Sequence, residues 1–480
     1  MLESLNSSAR FGTTVLESLT VLINLDYSAM GRTPKEVAAA VRHVCGIALP
    51  DDNFPPLNIE NFYETVQQYY ANFNQGDSSG RNAKIFLCYF SSYFHELRHV
   101  HDLIGSRSGQ LIFYNAFRVS QNMPVILARL WEWQEKNMDA RIPLPLAPWL
   151  HLLPGLSEDV GRAFKEWSRS GDIYRTFNEP DDLATGNLTV AHLLETSAVN
   201  VQLDFVHDTL GNEAVQSLAS LIEEEGNSAL YLQVRKEIEE AFANIDSESV
   251  DIGGLINYLI HVALSWTEAL DGSESRIAPV RYFEFLVEEV IQRIPASGPQ
   301  QFADVQKAVH DICREWGLAN PKTMRLLTEA ILEAHVGTLR KQFVKEEDQG
   351  RSRLLQSRLE EFKAIQDLVD AVPECMTQRL YVWSLFYGRF PSVHVKVFSD
   401  GTAHDIMTKG IEITAIDDWL ESSTWGGVMR LLGEGMGRMH PEFFEEICYK
   451  TLVEGSGDHP GFRFFNPLLN GYILPVVEEE

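Results

Sequence analysis

Five residues, His95-Glu96-Leu97-Arg98-His99, constrain this chain more than any other stretch. On a helix of about 3.6 residues per turn, His95 and His99 stand about 40° apart on one face, so both imidazoles can reach one metal ion. Glu96 projects about 100° round from His95, beside such an ion rather than on it. Its carboxylate is then free to take a proton from a water that the ion activates. The run from Ala83 to Phe94 is dominated by apolar and aromatic residues, which predicts a helix buried on most sides and preceded by Ser78-Ser79-Gly80. A Glu between two His on a buried helix is costly unless something pairs with it, and a metal with its water supplies that partner. The bland alternative is a polar stripe on an ordinary surface helix.

The segment resembles the zinc helix of the zincin metallopeptidases. That resemblance, which covers this helix and one more at most, implies a zincin-like metallopeptidase core, a Zn2+ cofactor, His95 and His99 as metal ligands, and peptide hydrolysis with Glu96 as general base. The apolar spacing of the remaining chain predicts a mainly α, multi-helix fold with a small α+β C-terminal part. The likeness departs from the stricter pattern at Arg98, a charge where uncharged residues are usual. The metzincin subgroup is set aside, because Asp102 and Gly105 stand where its Gly and third His would be.

A zincin with two His on its motif helix needs a third protein ligand, and in the Glu-zincin group a Glu from a downstream helix supplies it. The helical pattern from Thr189 to Gln202 offers Glu195, set among Leu193, Leu194, Ala198 and Val199, where a charge needs a partner. His192, three residues earlier, and Asp102 are the alternatives. Asp102 falls about 20° from His95, one turn beyond His99, and is expected to orient a ligating His, the alternative being a solvated Asp or a pairing with a nearby arginine such as Arg107. His101 points about 120° away and reads as a structural or surface histidine. Tyr93, Tyr114, Tyr174 and His192 are candidates for stabilising the oxyanion.

Composition narrows the partners. With 68 acidic against 40 basic residues the formal charge is −28, a field that opposes phosphate backbones and anionic membranes. A protein or peptide substrate is expected, with a regulatory protein partner as a further option, and neither nucleic acid nor membrane. The five cysteines, Cys45, Cys88, Cys313, Cys375 and Cys448, show no Cys-x-x-Cys spacing and read as reduced thiols. Glu17 interrupts the apolar run from Val15 to Leu25, so export is not expected and the cytoplasm is the expected compartment. The apolar run from Ile252 to Trp266 is too short to span a bilayer and reads as a core helix.

Along the chain, residues 1–78 form a mixed N-terminal segment with a helix from Thr33 to Cys45 opened by Pro34. Residues 79–345 form the helical metallopeptidase-like core. Apolar spacing of three and four predicts helices at Glu213–Glu224, Ala229–Ala243, Gly253–Ala269, Val280–Ile294, Phe302–Trp316 and Lys322–Phe343. Residues 346–480 form a C-terminal helical part with a long helix from Leu354 to Val372 and a hairpin pairing Val393–Asp400 with Ile411–Ile416. Loops rich in proline or glycine, Pro143–Pro154 and Gly171–Gly186, separate the motif helix from the Glu195 helix. The expected function is therefore an intracellular zinc metalloprotease. The rival is a helical interaction or scaffold protein with a structural or vestigial zinc site.

Overall fold

A computed structural model describes residues 12–15, 20–26, 32–47, 49, 52–76, 79–110, 188–224, 228–241, 252–266, 279–294, 302–342, 358–367, 393–399 and 402–407, with single residues at 136 and 356. The described chain is mainly helical, as the apolar spacing predicts. It begins with strands β1 (Gly12–Val15) and β2 (Thr20–Asn24), followed by helices α1 (Lys35–Val44), α2 (Ile59–Gly76) and α3 (Arg81–Ile104). Then come α4 (Val190–Leu210), α5 (Asn212–Glu224), α6 (Ser228–Ala241), α7 (Ile252–Ser265), α8 (Pro279–Arg293), α9 (Phe302–Glu315) and α10 (Pro321–Gln342). A helix α11 at 358–367 and strands β3 (His394–Ser399) and β4 (Thr402–Met407) complete it.

Helix α3 is the axis of the packing. Gly80 adopts φ +64° immediately before it, a conformation that costs glycine nothing. Every residue from Tyr93 to Ile104 is buried. Such complete burial follows from neighbours on several sides: α1, α2, α4 and β1 all pack against α3. A ladder of rings from Phe62, Phe86, Phe90, Phe94 and Phe205 fills the space between α2, α3 and α4, with the Phe94 and Phe205 centroids 3.9 Å apart. Helix α4 is itself sandwiched, with α6 and α7 on its far side. Its polar Asn200 is satisfied there, donating to Asn257 at 3.1 Å and accepting from Arg235 at 2.9 Å.

The strands form one sheet in the order β1-β2-β3-β4. β1 and β2 are antiparallel, β2 and β3 parallel with Val21 opposite Val395, and β3 and β4 antiparallel. Val21, Ile23, Val395 and Val397 alternate along β2 and β3 with their side chains buried. The β3–β4 hairpin thus extends a sheet begun near the N-terminus. Its second strand differs from the expected Ile411–Ile416: Ser399 pairs with Thr402, so the partner strand begins at Thr402. Residues 411–416 lie outside the described residues, as do the loops Pro143–Pro154 and Gly171–Gly186. No helix among the described residues is long and apolar enough to cross a membrane.

Candidate metal centre

Helices α3 and α4 lie side by side and run antiparallel. Glu195 meets His95 and His99, whereas Gln202, seven residues further along α4, meets His95 and Ser91. Glu195 Oε2 is 3.0 Å from His95 Nε2 and 3.5 Å from His99 Nε2, and the two Nε2 atoms are 3.1 Å apart. Metal–ligand bonds of about 2.0–2.1 Å at tetrahedral angles set donor atoms about 3.3 Å apart. The three contacts bracket that spacing, so this group can hold a metal ion as it stands. Two imidazole nitrogens and one carboxylate oxygen also match a set found in catalytic zinc sites.

The site is deep: His95 is 8% exposed, Glu96 7%, His99 2% and Glu195 5%. Burial pulls the pKa of His99 down, but the Glu195 carboxylate and its hydrogen bond, with Glu96 and Asp102, outweigh it and leave the pKa above its ordinary value. Glu195 moves the other way. Burial favours its neutral form, yet His99 and His95 hold the carboxyl far below the usual carboxylate range. Glu195 is thus held as an anion against a His99 ring whose protonated form it stabilises, and a bound cation would take that proton's place.

Glu96 stands off this triangle, as its position on the helix requires. Thr14 of β1 reaches it: Thr14 Oγ1 is 2.7 Å from Glu96 Oε2 and 3.1 Å from the Glu96 backbone oxygen. Burial raises the Glu96 pKa and Glu195 adds to the rise, against the pull of His99, His95 and the Thr14 hydrogen bond. The close approach depends on Gly12, two residues before Thr14. A Cβ there would meet Glu96 Cγ at 2.9 Å and Ile23 Cδ1 at 3.1 Å.

The alternative ligands have other work. Asp102 pairs with Arg98, not Arg107: Arg98 Nη2 lies 2.7 Å from Asp102 Oδ1, and Arg98 Nε donates to Asp102 Oδ2 at 3.1 Å and to Ser197 Oγ at 2.8 Å. Arg98 and Asp102 are fully buried, so the departure from the motif's usual uncharged residue is one half of an ion pair within α3, and its hydrogen bond to Ser197 ties α3 to α4 two residues from Glu195. His192 closes the N-terminus of α4, its Nδ1 accepting from the Thr189 backbone N–H at 3.1 Å. His101 is buried with Nδ1 3.1 Å from Arg98 Nη1, a structural role. Burial, with Arg98 and His261 adding, holds its pKa well below the ordinary value, so it is neutral. Tyr93 lies about 160° round α3 from His95. Burial, with Cys45 adding, pushes its phenol above the ordinary range. Tyr114 and Tyr174 lie outside the described residues.

Sequence reasoning missed Gly12, Thr14, Ser91, Ser197 and Gln202. Gln202 and Ser91 carried a signal, since seven residues from Glu195 and four from His95 put them within about 20° and 40° of the ligand faces. Thr14 and Gly12 belong to a strand that touches the motif helix through tertiary packing alone. No protein-family model matches the chain, and no curated protein or solved structure matches it.

Proposed function

We propose that this chain is a zinc-dependent peptidase with a zincin-like core, acting inside the cell on proteins or peptides. One observation carries the reading: two imidazole nitrogens and a carboxylate oxygen lie at tetrahedral edge lengths beside a separate, buried glutamate. Zinc held by His95, His99 and Glu195 would act as a Lewis acid and lower the pKa of a coordinated water to about 7. Glu96 then takes the proton of the attacking water and returns it to the leaving amine. Burial raises its pKa, and a cation bound beside it would pull the carboxyl back toward the ionised form that accepts a proton. Thr14 fixes one oxygen of Glu96, leaving the other to act. The excess of acidic residues favours basic segments as substrates.

Metal analysis and zinc titration test the centre. The parent should bind one zinc per chain, and Glu195→Ala should weaken binding by more than about 100-fold. Affinity should also depend on pH with a definite sign. Metal ligands must be deprotonated, and the folded pKa of His99 lies above the ordinary value of about 6.5. Zinc affinity should therefore be full above that raised pKa and fall as the pH drops through it, starting at a higher pH than for an unperturbed histidine. Affinity that starts to fall only at or below the pH expected of an ordinary histidine would contradict the raised His99 pKa.

The depth of the cluster favours a second reading, in which a bound metal only staples α3 to α4 in an interaction protein. Under it the zinc results are the same and no peptide is cut. Proteome-wide cleavage by the metal-loaded parent separates the two.

A further inference from the structure

Helix α4 touches the His95 ring at both nitrogens. Glu195 Oε2 faces Nε2 at 3.0 Å, and Gln202 Oε1 faces Nδ1 at 3.2 Å. Residues seven apart on a helix lie about 20° apart in rotation and about 10 Å along the axis, so one face of α4 supplies both jaws. The amide of Gln202 is oriented in turn. Its Nε2 donates to Ser91 Oγ at 2.9 Å, and Ser91 Oγ donates to the Cys88 carbonyl at 3.3 Å. Because that amide nitrogen is committed to Ser91, the oxygen is the atom presented to His95, and an amide oxygen can only accept. His95 Nδ1 must then carry the hydrogen. Gln202 and Ser91 are buried, 6% and 0% exposed, so water does not compete freely for these bonds. The other ring has no such support among the described residues, since His99 Nδ1 is buried without a hydrogen-bond partner.

We infer that Gln202, held by Ser91, is the positioning residue of the metal centre: it fixes His95 as the Nδ1–H tautomer and aims the bare Nε2 at the ion. The inference rests on the proposed metal reading but concerns a different residue. A group that holds the far nitrogen of a ligating histidine is worth about 10- to 100-fold in metal affinity. An acceptor at that place is what matters, so a carboxylate should replace the amide and an aliphatic chain of similar length should not.

The test compares the parent with Gln202→Leu, Gln202→Glu and Ser91→Ala, by zinc titration of each metal-free protein and by nitrogen NMR of the histidine rings. Gln202→Leu should lose about 10- to 100-fold in zinc affinity and show a mixed His95 tautomer. Gln202→Glu should stay within a few-fold of the parent, and Ser91→Ala should fall between them, because its amide is free to turn. If Gln202→Leu does not fold, the order of the other two decides. Zinc affinity unchanged in Gln202→Leu, or His95 in the parent protonated at Nε2 alone, overturns the inference while leaving the metal centre intact. A parent that binds no zinc sinks the metal reading instead, and the tautomer measurement on metal-free protein still decides the part played by Gln202.

Discussion

Glu96→Gln is expected to leave zinc in place and to reduce peptide hydrolysis by about 10²–10⁴-fold, the usual contribution of a positioned general base. The amide occupies the same volume and keeps a polar atom within reach of Thr14 Oγ1, which now stands 2.7 Å from Glu96 Oε2, so fold and ligand triangle should be undisturbed. What disappears is the ability to take a proton. Zinc content, thermal unfolding and cleavage rates measured on one preparation separate these effects. If the variant cuts as fast as the parent, Glu96 is not the base, and if it also loses zinc, the carboxylate is holding the metal rather than the water.

Arg98→Met should be the most damaging change to stability near the centre. It leaves Asp102, a fully buried carboxyl whose ion-pair contact with Arg98 is 2.7 Å, without its counter-charge. Breaking one side of such a pair costs about 3–5 kcal/mol, much of it the penalty of the stranded charge. The double variant Arg98→Met with Asp102→Leu should therefore recover a large part of the loss, since an apolar pair of similar volume is often neutral. Denaturant unfolding of the three proteins gives the comparison. A single variant within about 1 kcal/mol of the parent would show that Asp102 is neutral when folded or finds another partner.

How far the site was legible in the sequence follows from which forces were local. His95, Glu96 and His99 are placed by helical rotation alone, and Glu195 betrayed itself as a charge among apolar neighbours on a helix that must be buried. The core positions of α1, Val37, Ala40, Val41 and Val44, follow from the same periodicity and are buried. Asp102 pairs with an arginine, the alternative to orienting a ligating His, but with Arg98 rather than Arg107. Rotation says which way a side chain points and not which neighbour binds it, and Arg98, one turn earlier on the same helix, is that neighbour. The sheet was the least legible part. β1 and β2 are short, and the parallel partner of β2 lies at the other end of the described chain, where no local pattern announces the pairing. Thr14 was therefore invisible as a neighbour of Glu96 until the fold brought β1 onto α3.

That remote pairing has a consequence for the order in which the molecule is made. Synthesis runs from the N-terminus and chains begin to fold as they emerge, so α3 and α4 can come together with their ligands long before translation ends. The strand that steadies Glu96 belongs to a sheet whose second half, His394–Met407, leaves the ribosome much later. In the peptidase reading, a nascent chain would carry its ligand triangle while the group that moves the proton still lacked firm support. Hydrolytic power would then mature only after His394–Met407 had been made and had paired with β2.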